Sequence, residues 1–268
     1  MAALFFDIDG TLITEGSMHL SEGTKKALQD AKKAGHRIFI NTGRTRSALP
    51  ENVLEIGFDG LLCGCGTFIA LEERILLERH IAGERARAIL SALKDVNGGF
   101  VLEGTQDCYF EKSKSRFEEI EFTRKYFAGL GLGQNATAED APPFDKVFLY
   151  TDKDSRTEAF FRAVAPDMTV IDRGRGMYEI IQKGYTKGTA LTQIAEHFGY
   201  ARDELFAFGD SSNDLDMFQC AGYGVAMGNS SKELLRHADY VTETVENGGI
   251  EKALRLLNLI QEENTWKK

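Results

Sequence analysis

The chain has 268 residues, 43% of them hydrophobic and 27% charged, a globular composition that excludes intrinsic disorder and is long enough for one large domain or two ordinary ones. The formal net charge of −9 comes without any Lys/Arg block, which argues against nucleic acid or an anionic membrane as partner. No window holds the roughly 20 uninterrupted apolar residues of a membrane span, and MAALFFDIDG lacks the basic start of a secretory signal, so a soluble, cytoplasmic protein is expected.

In chain order, the clearest signal is a set of short, nearly continuous apolar runs, each followed by polar or Gly-rich residues and then a helical pattern. Parallel strands buried on both faces read this way. The runs are Ala3 to Ile8, Arg37 to Ile40, Gly60 to Cys63, Leu205 to Phe208 and Tyr223 to Ala226. A helix is expected over 21–34, with Ser21 as N-cap, Leu28 and Ala31 on one face and a stop at Gly35. Residues 188–198, 212–220 and 246–258 read similarly. The alternation predicts an α/β fold with a doubly wound, mostly parallel, Rossmann-like sheet.

The middle of the chain has a different pattern. A hairpin about Glu72 and Glu73 is expected over 67–78, then a helix near 83–96, strands near 99–111 and a helix near 115–128. After the Gly-rich 129–133 and Pro142-Pro143 come a strand at 146–151, a helix at 155–164 and two strands near 168–182. The expected organisation is a core of 1–82 and 184–268 interrupted by an inserted α+β domain at 83–183. Phe117, Phe122, Tyr126 and Phe127 are expected in the core of that insert. The segment Asp172 to Glu179 is a candidate loop through which Arg173 or Arg175 would touch an anionic substrate. Four cysteines, Cys63, Cys65, Cys108 and Cys220, are too sparse for a disulfide framework and are read as reduced thiols, with Cys63 and Cys65 on one face of a buried strand.

The chemistry concentrates at strand ends, where open α/β sheets bind ligands. The first run ends in Asp7-Ile8-Asp9-Gly10-Thr11 and the fourth in Gly209-Asp210-Ser211-Ser212-Asn213-Asp214. Residues two apart on a strand point the same way, so Asp7 and Asp9 share one spot. If the two strands are neighbours, Asp7, Asp9, Asp210 and Asp214 converge, and they require a cation. Oxygen-only ligands suit Mg²⁺. Phosphate donors are at hand in Asn41-Thr42-Gly43-Arg44 and in Lys187, at the start of a helix where free N–H groups favour an anion.

This constellation resembles the haloacid dehalogenase superfamily of aspartate-nucleophile phosphatases, over essentially the whole chain. Its four motifs stand in the family's order: Asp7 to Thr11, Thr42-Gly43, Lys187, and Gly209-Asp210 with Asn213-Asp214. The insert of about 100 residues is similar to the large α/β cap of subclass IIB, the Cof-type phosphatases. Val225 to Asn229 and Ala238 to Thr242 also look like that subgroup. The resemblance implies Asp7 as nucleophile, Asp9 as general acid and base, and Thr42 and Lys187 as holders of the phosphoryl oxygens. Mg²⁺ would be bound by Asp7, Asp210 and the Asp9 carbonyl, with Asp214 as an orienting residue or a further acid of the metal site. Gly43, Arg44 and Asn213 are the candidate substrate contacts. Departures from the Cof-type pattern are Cys65-Gly66-Thr67 for Asn-Gly-Ala, Ser211 for Gly and Asn41 for a small residue; they bear on substrate contacts and not on the reaction type.

The expected function is Mg²⁺-dependent hydrolysis of a small phosphorylated metabolite, a sugar phosphate by default, beneath a closing cap that sets specificity. No protein partner is evident. The alternatives are a phosphomutase, which would isomerise without releasing phosphate, a receiver-like phosphoacceptor, and a non-catalytic phosphometabolite sensor. The cap and chain length count against the receiver, and the Asp7–Asp9 pair against the sensor, since a binder needs no general acid. The sequence has no GxSxG, no GxxxxGK[ST] and no complete GxGxxG, which removes support for serine hydrolases and nucleotide kinases.

Overall fold

The computed structural model of the protein describes residues 1–14, 16 and 18–261. The elements are, in order, β1 (Ala3–Phe6), α1 (Glu22–Lys33), β2 (Arg37–Asn41), α2 (Glu51–Leu54), β3 (Gly60–Cys63), β4 (Phe68–Leu71) and β5 (Arg74–Glu78). Then follow α3 (Gly83–Lys94), β6 (Gly99–Glu103), β7 (Cys108–Tyr109), α4 (Glu118–Gly129), β8 (Lys146–Tyr150), α5 (Glu158–Val164), β9 (Met168–Gly174) and β10 (Met177–Gln182). The chain closes with α6 (Lys187–Phe198), β11 (Leu205–Gly209), α7 (Leu215–Cys220), β12 (Tyr223–Ala226), α8 (Lys232–Leu235), β13 (Tyr240–Val241) and α9 (Gly249–Leu256). Among the described residues no helix is long and apolar enough to cross a membrane.

The chain packs as two units. The first comprises Met1–Gly43, Leu49–Leu76 and the described residues from Thr186 on; the second comprises Arg44–Ala48 and Leu77–Tyr185. The first unit carries a sheet of order β13-β12-β11-β1-β2-β3-β4-β5, parallel from β13 to β3 and antiparallel where β3 meets β4. β1 lies between β11 and β2, in register Phe6↔Phe208 and Phe6↔Ile40. The apolar runs become strands because burial on both faces removes Leu4, Phe5, Phe6, Ile38, Phe39, Ile40, Phe208 and Val225 wholly from water, each worth about 1.5–3 kcal/mol for a large side chain. α1 begins where the Ser21 hydroxyl accepts from the Thr24 amide at 3.1 Å, and Ala27, Leu28 and Ala31 form its buried stripe. The second unit is an antiparallel sheet, β7-β6-β8-β10-β9, whose Phe100, Leu102, Val147, Leu149 and Ile180 pack with Ile89, Leu90 and Phe160 of α3 and α5.

Several local expectations shift for physical reasons. The helix expected at 212–220 opens as a 3-10 turn over Ser212–Asp214, because the Asp214 carboxylate turns back to accept from the Asp210 and Ser211 amides. The stretch 246–258 loses its beginning to a 3-10 turn at Val245–Asn247. Phe117 and Phe127 are buried as expected, but Phe122 is 74% exposed: two residues past buried Ile120, it falls on the opposite side of α4. Cys65 does not share a strand face with Cys63, since β3 ends at Cys63 and Cys65 turns through a φ of 54°. None of the four cysteines is in a disulfide. α2, α8 and β13 are too short for any periodicity to have announced them.

Candidate active site

Both strand-end segments lie on adjacent strands of the first unit. The Asp7 amide continues the β1–β11 ladder, donating to Phe208 O at 3.0 Å. Beyond it the chain folds tightly, with Gly10 N–H on Ile13 O at 2.8 Å and Thr11 N–H on Ile8 O at 3.2 Å. Gly10 has φ +75°, and a Cβ there would stand 2.3 Å from Asp210 Oδ2. Both its backbone sign and the approach of Asp210 therefore demand glycine.

Lys187 is the first residue of α6, whose N-terminus is capped by the Thr186 hydroxyl accepting from Thr189 N–H at 3.1 Å. It is 1% exposed. Its ammonium lies 2.8 Å from Asp7 Oδ1 and 2.6 Å from Asp214 Oδ1, and it reaches Asn213 Oδ1 at 3.4 Å. Burial alone would pull the lysine down, but Asp214 and Asp7 outweigh it and hold the ammonium charged well above its ordinary range. Asp214, fully buried, takes Lys187 on one oxygen and the Asp210 and Ser211 amides, at 2.9 and 3.0 Å, on the other. Asp7 is pushed up to about 7, chiefly by burial, with Asp214 and Asp9 adding to the rise and Lys187 opposing it.

One carboxylate oxygen each of Asp7, Asp210 and Asp214 lies within 4.8 Å of the others. The Asp9 carboxylate is not in that group, so the expected convergence of four carboxylates becomes one of three: β1 ends at Phe6 and the chain turns tightly from Ile8 to Ile13, so Asp7 and Asp9 do not alternate along a strand. Thr42, 1% exposed, follows β2, its amide on Leu62 O at 2.9 Å. Gly43 runs beside Asn213 and Cys65, since a Cβ there would meet Asn213 Nδ2 and Cys65 Sγ, both at 3.5 Å. The first unit thus brings Asp7, Asp210, Asp214, Lys187 and Asn213 together, with Gly43 against Asn213 and Thr42 next in the chain. Arg44 belongs to the second unit, where it donates to Ala48 O at 3.0 Å and Tyr126 Oη at 3.1 Å. Arg173 sits in the β9–β10 hairpin and is paired with Glu179.

The hydrogen bonds that brace the site were not foreseen in the sequence. Thr11 Oγ1 donates to Asp210 Oδ1 at 3.4 Å, Asn229 Nδ2 to Gly10 O at 2.8 Å, and Ser211 Oγ to Asn213 Oδ1 at 2.7 Å. Asn229 was within reach of sequence reasoning: it stands just beyond β12, and strand ends on this edge are where ligands collect.

A mostly parallel sheet that gathers Asp7, Asp210 and Asp214 beyond its strand ends, with the buried Lys187 against two of them, presents the carboxylates and the cation that phosphoryl transfer uses. The chain belongs to the haloacid dehalogenase-like hydrolases: the profile of that family matches residues 4–254, and the Cof-type resemblance drawn from its motifs is borne out. It is an enzyme of that family. The phosphoglycolate phosphatase of Methanothermobacter thermautotrophicus is 27% identical over 257 residues, spanning 95% of this chain and 98% of that protein. The 5-amino-6-(5-phospho-D-ribitylamino)uracil phosphatase YitU of Bacillus subtilis is 27% identical over 263 residues, 93% of this chain and 94% of its own. Among solved structures, the subclass IIB sugar phosphatase BT4131 superposes with a TM-score of 0.80 at 25% identity, covering 97% of this chain and 100% of that one.

Proposed function

We propose that this enzyme is a Mg²⁺-dependent phosphatase that hydrolyses a small phosphorylated metabolite, a sugar phosphate first among the candidates, through an aspartyl-phosphate on Asp7. The observation that carries the reading is the buried Lys187 bridging Asp7 and Asp214 at 2.8 and 2.6 Å beside Asp210. Three acids facing one ammonium leave an excess of negative charge, and their all-oxygen donors fit a hard divalent cation. Lys187 and two amides already occupy Asp214, so Asp7, Asp210 and the Asp9 carbonyl are the groups that would hold Mg²⁺. When bound, the ion polarises a phosphoryl oxygen and offsets the charge of phosphate and nucleophile.

The chain's own groups account for both half-reactions. An Asp7 carboxylate oxygen attacks phosphorus as the bond from phosphorus to the ester oxygen breaks, and Asp9 gives its proton to the departing alcohol. Asp9 then takes a proton from water as that water attacks phosphorus; the bond to Asp7 breaks, and inorganic phosphate leaves. Thr42 and Lys187 donate to the phosphoryl oxygens throughout. The named relatives are phosphatases of phosphoglycolate, of 5-amino-6-(5-phospho-D-ribitylamino)uracil and of sugars, and what these substrates share is that each is a small, polar metabolite.

The test is phosphate release from an aryl phosphate and a panel of sugar, sugar-acid and ribityl phosphates, with Mg²⁺ and with EDTA, for wild type and Asp7→Asn. Mg²⁺-dependent release abolished by Asp7→Asn is expected. Release that survives the substitution would remove the aspartate nucleophile, and isomerised ester without phosphate would make the protein a mutase.

A further inference from the structure

Within the first unit, β2 turns Arg37, Phe39 and Asn41 to one side, since residues two apart on a strand share a face, and α6 lies along that side. At the far end of the helix the Phe39 and Phe198 rings stand 6.1 Å apart and the Arg37 guanidinium lies 4.1 Å over Phe198. Apolar contact is non-directional, so these rings hold α6 down without fixing where along the strand it begins. At the near end the contact is polar. Asn41 Nδ2 donates to Lys187 O at 2.8 Å and approaches Met217 Sδ at 3.6 Å. One amide thus touches the first residue of α6 and also α7, the helix that follows the Asp214 turn. The two helix starts are close, for a Cβ on Gly188 would stand 2.7 Å from Asp216 O.

Stability does not explain this residue. Asn41 is wholly buried, paired with Leu62 in the interior of the sheet, and asparagine is a poor strand residue. Among the described residues its Oδ1 is a buried oxygen with no hydrogen-bond partner, and an unsatisfied buried acceptor destabilises. Turning the amide over brings no relief, because it would set that oxygen against Lys187 O. A small apolar residue would suit the strand better; what it could not do is donate to Lys187.

We propose that Asn41 is a positioning residue for Lys187. Its hydrogen bond pins the backbone of the lysine to the end of β2, fixes where α6 begins, and so aims the ammonium at Asp7 and Asp214, 2.8 and 2.6 Å away. A lysine reaches through a flexible four-carbon stem, so its ammonium is placed only as well as the backbone it springs from. Asn41 acts through Lys187 and touches no substrate. The catalytic consequence rests on the phosphatase reading; the anchorage of α6 does not.

The experiment compares Asn41→Ala and Asn41→Val, which remove the donor while under-filling and over-filling its space, so a loss common to both belongs to the hydrogen bond. Melting should stay within about 5 °C of wild type, because the unsatisfied oxygen goes with the donor. Amide exchange at Ala190, whose N–H donates to Thr186 O at 3.1 Å, and at Leu191 should quicken about two- to tenfold while Phe5 and Phe6 stay unchanged. With an aryl phosphate at saturating Mg²⁺, kcat should fall about tenfold and KM stay within about twofold. On a Lys187→Met background the same substitutions should change kcat by less than about twofold, since the residue they act through is gone. The full kcat loss on that background, an unaltered kcat in the single variants, or a rise in KM alone overturns the proposal, as does unchanged exchange at Ala190 and Leu191. A loss confined to one variant would be packing, and melting lowered further than stated, with exchange faster throughout the first unit, would make Asn41 a plain structural residue; both refute positioning. A wild type that releases no phosphate would sink the phosphatase reading alone, because exchange still decides whether Asn41 holds the start of α6.

Discussion

Neutralising the proposed nucleophile should stabilise the metal-free protein. Asp7 is buried beside Asp214 and Asp9, and its acid is raised from about 3.8 to about 7 despite Lys187 at 2.8 Å. Between those two values the folded protein keeps a proton on Asp7 that the unfolded chain has released. Stability therefore falls as pH rises through that window and stays reduced above it. A shift of this size corresponds to about 4 kcal/mol. Asn imitates the neutral acid in shape but not in every hydrogen bond, so Asp7→Asn should gain about 2–4 kcal/mol at pH 8 in EDTA, roughly 5–15 °C in the first unit's melting transition. The gain should shrink toward pH 4, where the wild-type acid is itself protonated in both states. Saturating Mg²⁺ should close or reverse the gap, because the ion would stabilise the wild type and Asn would be the poorer ligand. Urea or thermal denaturation at both pH values, with and without Mg²⁺, measures all of this. A variant no more stable than wild type at pH 8 in EDTA would show that the site does not strain Asp7, and would remove the electrostatic argument for a cation there.

Three further outcomes are expected. Lys187→Met strips the ammonium from between two buried acids and should cut kcat by at least about 10²-fold; retained turnover would mean the lysine is only structural. Gly10→Ala places a Cβ 2.3 Å from Asp210 Oδ2 at φ +75°, so half-maximal activity should require about tenfold more Mg²⁺ or above, and an unchanged Mg²⁺ curve would exclude Asp210 as a ligand. In the second unit, burial would raise Glu179, but Lys146 and Arg173 win and hold it at about 2. Its stabilising contribution is full above about pH 4.5 and fades as pH falls toward 2, so Glu179→Gln should cost about 2–3 kcal/mol at neutral pH and progressively less below pH 4 in urea denaturation.

What the sequence disclosed and what it withheld divide along one physical line. Asp7, Asp210 and the strands they follow were legible because a strand buried on both faces must be a continuous apolar run, and its end is where polar residues resume; that the two strands are neighbours was not. The commitments of Arg44 and Arg173 were not, because their partners Tyr126 and Glu179 are chosen by tertiary contact. Lys187, read alone, is an ordinary surface lysine; acids 180 and 27 residues away in the chain make its burial tolerable. Asp210 and Asp214 show the line most sharply. Both are acids following the same strand, and nothing in their immediate sequence separates the proposed metal ligand from the acid that pairs with the lysine. The separation comes from Gly209, where a Cβ would lie 2.5 Å from Asp214 Cγ. The missing side chain leaves room for the Asp214 carboxylate to fold back beneath its own loop, bind the Asp210 and Ser211 amides and present its remaining oxygen to Lys187. With Asp214 turned inward, Asp210 is left facing Gly10 and Thr11, on the Asp7 side of the loop. A glycine whose use is room and not a turn thus gives two chemically identical residues different surroundings, which is why composition and spacing could place them together but could not tell them apart.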